Sequence, residues 1–314
     1  MFSKFLITIL IVAISAASFG ADDLSKSKEV LKYVKEKFEL SYHGEYYAVH
    51  GATDQLTDHS SLHMPILTYK FAKNWKFTGL AEFKYTDSGT AGYPNRFYRA
   101  LYTITRENLL TEKDHGITMN VGIARRVMDR KSSPSGFGNN RIFANFSRSI
   151  PGGSGKNTAS LLTQYLHNDP KNLSATTWKH GIELIPAVNL QLTDKLSYSL
   201  QDDINYMTSY YTNNPRKASL THEAYSTFTY KKSDLVSPYF QLRYVHGDSF
   251  NAPAEPGPYM SDTLTYFIGA GFAMTSKLTL TPEIGTDIFA SSDGKSLANK
   301  FKYIDLALYV DYSF

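Results

Sequence analysis

From Phe38 to the C-terminus, apolar and polar residues alternate with a period of two. Trp75, Phe77, Gly79, Ala81, Phe83 and Tyr85 share one face of a segment whose other face carries Lys76, Thr78, Glu82 and Lys84. Ile117, Met119, Val121 and Ile123 alternate with Thr118, Asn120, Gly122 and Ala124. Leu264, Tyr266, Ile268, Ala270, Phe272 and Met274 make a third apolar row. Successive side chains of a strand point to opposite faces, so each row predicts a strand with one apolar and one polar face. Fourteen such segments are counted, at roughly 38–50, 64–72, 75–87, 95–107, 115–127, 141–150, 157–167, 176–193, 195–208, 219–231, 235–246, 262–275, 277–290 and 299–314. A count of twelve follows if 38–74 is not divided in this way.

The connections alternate in length. Ala72–Asn74, Thr193–Lys195, Lys232–Asp234 and Thr275–Lys277 are tight turns, while 51–63, 128–140, 209–218 and 247–261 are long. Short turns at one end and long loops at the other, on strands of alternating polarity, predict an all-β fold: a transmembrane, antiparallel, up-and-down β-barrel. Lipid offers the backbone no hydrogen-bond partners, so a sheet that spans it must close. Fourteen strands about 4.8 Å apart and tilted ~40° give a backbone diameter of roughly 28 Å and a lumen on the order of 10–15 Å. An even strand count puts both termini on the periplasmic side.

The residues ahead of the barrel read differently. Lys4 is a positive start, Phe5–Ile14 a short apolar core, and Ser15–Gly20 mostly small. Residues 1–20 therefore read as a secretory signal peptide cut after Gly20. The apolar core falls short of the ~20 residues that a spanning helix needs. In 21–37, Leu24, Val30, Leu31 and Val34 recur at roughly helical spacing, which predicts a short periplasmic helix or leader before the 38–314 barrel.

Composition agrees. The chain holds 23 Tyr and 19 Phe, yet its mean hydropathy is −0.31, as an aromatic-girdled wall around a wet lumen requires. A net charge of +4, evenly spread, argues against nucleic acid. With no cysteine there is neither a lipid-anchored N-terminus nor a disulfide.

Leu306, Leu308, Val310, Tyr312 and Phe314 alternate up to a terminal aromatic. This ending resembles the signal that the outer-membrane assembly machinery recognises in porin-type barrels, carried here by Tyr312 and Phe314. With the signal peptide and the strand count, the chain resembles the monomeric fourteen-stranded porins of Gram-negative outer membranes. That resemblance implies contact with outer-membrane lipids and lipopolysaccharide, a monomer rather than a trimer, and passive diffusion of small hydrophilic solutes. A fatty-acid transporter of the same strand number would carry an N-terminal plug, which 21–37 is too short to build.

Alternation also sorts the charges. Glu82, Lys84, Arg99, Arg126, Arg141, Lys179 and Glu183 fall on inward positions of the third to eighth strands. Asp203, Glu223, Arg243, Glu283, Asp287, Asp305 and Asp311 do so on the ninth to fourteenth. The first arc is mainly basic and the second mainly acidic. Charges in a membrane wall must be hydrated or paired. Two arrangements are open: opposed arcs that set a field across a pore, or a ring of cross-strand salt bridges. The segment 247–261, stiffened by Pro253, Pro256 and Pro258, is a candidate gate.

Two other constellations bear on chemistry. His43, His50, His59 and His63 lie near Asp54 and Asp58, but on a strand and a loop that do not obviously converge, so no metal or cofactor is expected. His222 and Ser226 share a strand face without an evident orienting residue, so no catalytic group is expected. The rival readings are an outer-membrane enzyme acting on lipid or lipopolysaccharide, and a structural or adhesive barrel.

Overall fold

The computed structural model describes residues 32–34, 36–50, 56–87, 96–128, 138–151, 157–169, 178–210, 218–250, 259–290 and 304–314. Fourteen antiparallel strands form one closed barrel in sequence order. They are β1 (Phe38–His50), β2 (Leu56–Ala72), β3 (Trp75–Asp87), β4 (Arg96–Leu110), β5 (Thr118–Met128), β6 (Gly138–Ser149) and β7 (Thr158–Asp169). The second half comprises β8 (Trp178–Gln191), β9 (Leu196–Tyr210), β10 (Ala218–Tyr230), β11 (Val236–Phe250), β12 (Tyr259–Ala273), β13 (Leu278–Ala290) and β14 (Ile304–Ser313). β14 closes on β1, with Ser41 opposite Ser313 and His50 opposite Ile304. Ahead of β1, residues 32–34 and 36–37 are helical. The expected signal peptide, 1–20, and most of the 21–37 leader lie outside the described residues.

Three of the tight turns share one construction. The Thr193 hydroxyl accepts the backbone N–H of Lys195 (3.3 Å) and Leu196 (3.0 Å). Ser233 does so for Leu235 and Val236 (3.2 and 3.1 Å), and Thr275 for Lys277 and Leu278 (3.1 and 3.0 Å). A hydroxyl that mimics a backbone acceptor ties off the chain reversal and sets the hairpin register. In the fourth turn, Asn74 takes a left-handed φ of 62°, which Asn tolerates.

Several boundaries move from those expected. β2 starts at Leu56 rather than 64, and β11 and β12 run to Phe250 and from Tyr259. All of 56–63 is therefore strand rather than loop. The candidate gate shrinks to 251–258, which lies outside the described residues. The reason is physical: beyond the lipid band both faces of a strand are wet, so the ladder continues after the apolar alternation has stopped. Between β4 and β5 the connection holds a helical turn, Glu112–His115, capped by Gly116 at φ 73°, and β5 starts at Thr118 rather than 115. The Glu112 carboxylate accepts the Ser149 amide (2.8 Å) and hydroxyl (3.1 Å), fastening this turn to the foot of β6.

The outer face is apolar and uncovered. Ile104, Ile123 and Ile142 lie opposite one another across β4, β5 and β6, with Ile123 55% and Ile142 63% exposed. Exposed Tyr46, Tyr85, Tyr165 and Tyr206 ring the loop end, and exposed Phe71, Trp75, Phe228 and Tyr230 the turn end. These are the two aromatic girdles of a wall that meets lipid. Ile123→Arg is expected to destabilise the barrel by about 2–4 kcal/mol in vesicles, the cost of a cation near the bilayer midplane. A lowered denaturant midpoint reads the effect, and an unchanged midpoint would mean that this face does not meet lipid.

Candidate functional site: the charged inner wall

Strand register places Glu82, Lys84, Arg99, Arg126, Arg141, Lys179, Glu183, Asp203, Glu223, Arg243, Glu283, Asp305 and Asp311 on the face opposite the apolar rows. The side chain of Asp287 lies outside the described residues, although its backbone pairs with Thr265.

Six of these charges form ion pairs between strands, each within its own arc, so the two arcs are not open charge throughout. Arg99 stands directly opposite Glu82 and bonds it through Nε. Glu82 is only 5% exposed. Arg141 Nη1 reaches Glu183 Oε2 at 3.5 Å across β7, with Gln164 Oε1 of that strand at 3.4 Å between them. Arg141 also donates through Nε to Asn139 Oδ1, 3.1 Å away. On the other arc Arg243 bonds Glu223 through Nε. Asp203, directly opposite the like-charged Glu223, accepts from Asn205 Nδ2 at 2.7 Å. Facing strands let oppositely charged side chains meet before either can extend into the lumen. On the basic side neither Arg126 nor Lys84 pairs directly with a carboxylate among the described residues. Arg126 lies within electrostatic reach of Arg99, Arg141, Glu82 and Glu183.

The inner wall also carries phenols that a search by charge passes over. Glu283 accepts from Tyr239 (2.6 Å) and from Tyr309 (3.2 Å). Glu45 accepts from Tyr47 at 2.6 Å and lies 3.1 Å from His43 Nε2, whose Nδ1 is 2.6 Å from Asp311. Tyr225 donates to Glu223. The alternation that assigned the charges would have assigned Tyr47, Tyr225, Tyr239 and Tyr309 to the same face.

Of the four histidines His43, His50, His59 and His63, the two with described side chains lie on opposite faces. The His43 ring is on the inner face, whereas His63 is on the outer face, 2.6 Å from the Tyr42 hydroxyl. The side chains of His50, His59 and Asp58, and all of Asp54, lie outside the described residues. His222 and Ser226 also part company: His222 Nδ1 faces Asp202 at 3.4 Å, while the Ser226 hydroxyl is bonded to that of Tyr198 at 3.3 Å. At the C-terminus the Phe314 amide donates to the Leu40 carbonyl at 3.0 Å, and its ring meets Tyr312 edge-on at 4.6 Å.

No protein-family model and no curated protein matches the sequence. Solved structures do match the fold. The outer membrane channel DcaP of Acinetobacter baumannii is similar over 88% of this chain and 96% of its own, at 13% identity and a TM-score of 0.50. A loop-deletion mutant of OmpT, an outer membrane protein of Vibrio cholerae, is similar over 88% of this chain and 99% of its own, at 11% identity and a TM-score of 0.51. These likenesses and the closed topology show the fold of an outer-membrane β-barrel.

Proposed function

We propose that the barrel is a monomeric porin in the outer membrane of a Gram-negative cell, passing ions and small hydrophilic solutes by diffusion, with no cofactor and no covalent chemistry. The observation that carries this reading is an inner wall lined with charge and held in cross-strand pairs. Such a wall satisfies its charges by pairing rather than by an apolar packing layer, which suits a polar path rather than a packed core. The apolar outer face would meet lipid and lipopolysaccharide, and the Tyr312–Phe314 end would be what the assembly machinery reads.

Each of Arg99, Arg126 and Arg141 adds one positive charge to the inner wall, and removing Arg99 or Arg141 also leaves Glu82 or Glu183 without its partner. Arg126→Gln is expected to shift the reversal potential towards cation preference, and neutralising Arg99, Arg126 and Arg141 together to shift it further. The shift is largest near 0.01 M salt, where the Debye length is about 30 Å, and small near 1 M, where it is about 3 Å. Planar-bilayer recordings under a salt gradient read it. Purified barrel that inserts but passes no current would remove the porin reading. No shift in the triple variant would remove these arginines from the conduction path.

A further inference from the structure

The wall built from β10 to β14 and β1 is aromatic as well as charged. It holds a recess of 320 Å³ lined by Tyr47, Tyr225, Arg243, Phe267, Glu283 and Tyr309, among others. That volume is at the small end of the roughly 300–1,000 Å³ of small-molecule sites. Two glycines shape the wall around it. A Cβ on Gly285 would stand 2.3 Å from the Phe267 ring, and one on Gly269 would stand 2.4 Å from the Tyr239 ring. The rings therefore occupy space that any other residue would fill. They lie along the wall instead of projecting across the lumen, in the way aromatic side chains cover strand glycines.

The carboxylate at the centre is fixed in place. Both oxygens of Glu283 accept a phenol, from Tyr239 and from Tyr309. An ionised carboxylate has about four lone-pair sites, so acceptor capacity remains for an incoming hydroxyl. Gln241 adds an amide beside it, itself donating to Thr227 at 2.9 Å. Arg243 is paired with Glu223, so Glu283 and Asp305 leave the recess with surplus negative charge. Ring faces with fixed acceptors and donors suit a solute with apolar C–H faces and a hydroxyl-rich edge. An organic cation would answer to the charge without needing the ring faces, and a carboxylic acid would want Arg126 on the opposite wall.

We infer that this recess is a binding station for a neutral carbohydrate, a sugar ring laid against the aromatic side chains with its hydroxyls on Glu283 and Gln241. The inference rests on the open lumen of the proposed channel. Such a station must hold its solute weakly enough to release it, so affinity on the order of millimolar is expected.

The test uses the full chain folded in detergent, with maltose as the probe and spermidine and gluconate as charged comparators, read by saturation-transfer NMR. Saturable maltose binding is expected. Tyr309→Ala and Phe267→Ala should weaken it at least tenfold. Gly285→Val should do the same by displacing the Phe267 ring, although it removes no lining side chain. Lys113→Gln, in the turn between β4 and β5, should leave it unchanged, and heat-modifiable mobility on gels confirms that each variant is folded. Absence of maltose binding, binding of spermidine in its place, or maltose binding that none of the three weakening variants alters would each overturn the proposal. Bilayer recordings separate this result from the channel reading. Maltose binding without current leaves the station standing and removes the channel, whereas current without maltose binding removes the station alone.

Discussion

Arg99→Met is expected to lower the unfolding free energy of the barrel by about 3 kcal/mol. Removing one partner of a buried ion pair leaves an uncompensated charge, which costs about 3–5 kcal/mol. Glu82 meets that condition, with a side chain only 6% exposed against 30% for its partner. The lower end applies because Arg126 is close enough to offset part of the loss. The double variant Glu82→Gln/Arg99→Met should recover most of the stability, since the pair is then removed without stranding either charge. Unfolding in lipid vesicles by denaturant reads both variants. Equal midpoints for Arg99→Met and the unmodified barrel would show that the wall there is wet enough to hydrate Glu82 unaided.

Deleting Phe314, or replacing it with Asp, is expected to reduce outer-membrane insertion severely in cells. Two independent contributions are lost in the deletion. The Phe314 amide supplies a backbone bond to Leu40 at the seam where the last strand meets the first, and a barrel has no other way to remove its edges. The exposed ring, stacked edge-on against Tyr312, is what the terminal signal would present to the assembly machinery. The Asp variant keeps the amide and loses the ring, so comparing the two separates closure from recognition. Undiminished heat-modifiable barrel in the outer-membrane fraction of both variants would count against the assignment of Phe314 to either role.

Much of this was legible in the chain because a membrane imposes period two wherever a strand touches lipid. The rows through Trp75, Ile123 and Ile268 pointed outward in the sequence and do so in the structure, and the hydroxyl-capped turns at Thr193, Ser233 and Thr275 were visible as short breaks between rows. Where lipid imposes nothing, the pattern fell silent. That is why β2 begins at Leu56 and β11 runs on to Phe250, and why the helical turn at Glu112–His115, in the connection between 95–107 and 115–127, was not foreseen.

Period and turn chemistry alone determined the fold class, the strand count, the outward face of each strand and the inward position of each described charge. They are local properties, set by one residue and its near neighbours along the chain. What the charges do was decided by the tertiary structure. Arg99 meets Glu82, Arg141 meets Glu183 across an intervening strand, and Glu283 is clasped by tyrosines from β11 and β14. Those meetings depend on register between strands far apart in sequence. A bulge between Glu82 and Phe83 shifts that register by one residue, and no alternation within a single strand encodes which residue will stand opposite.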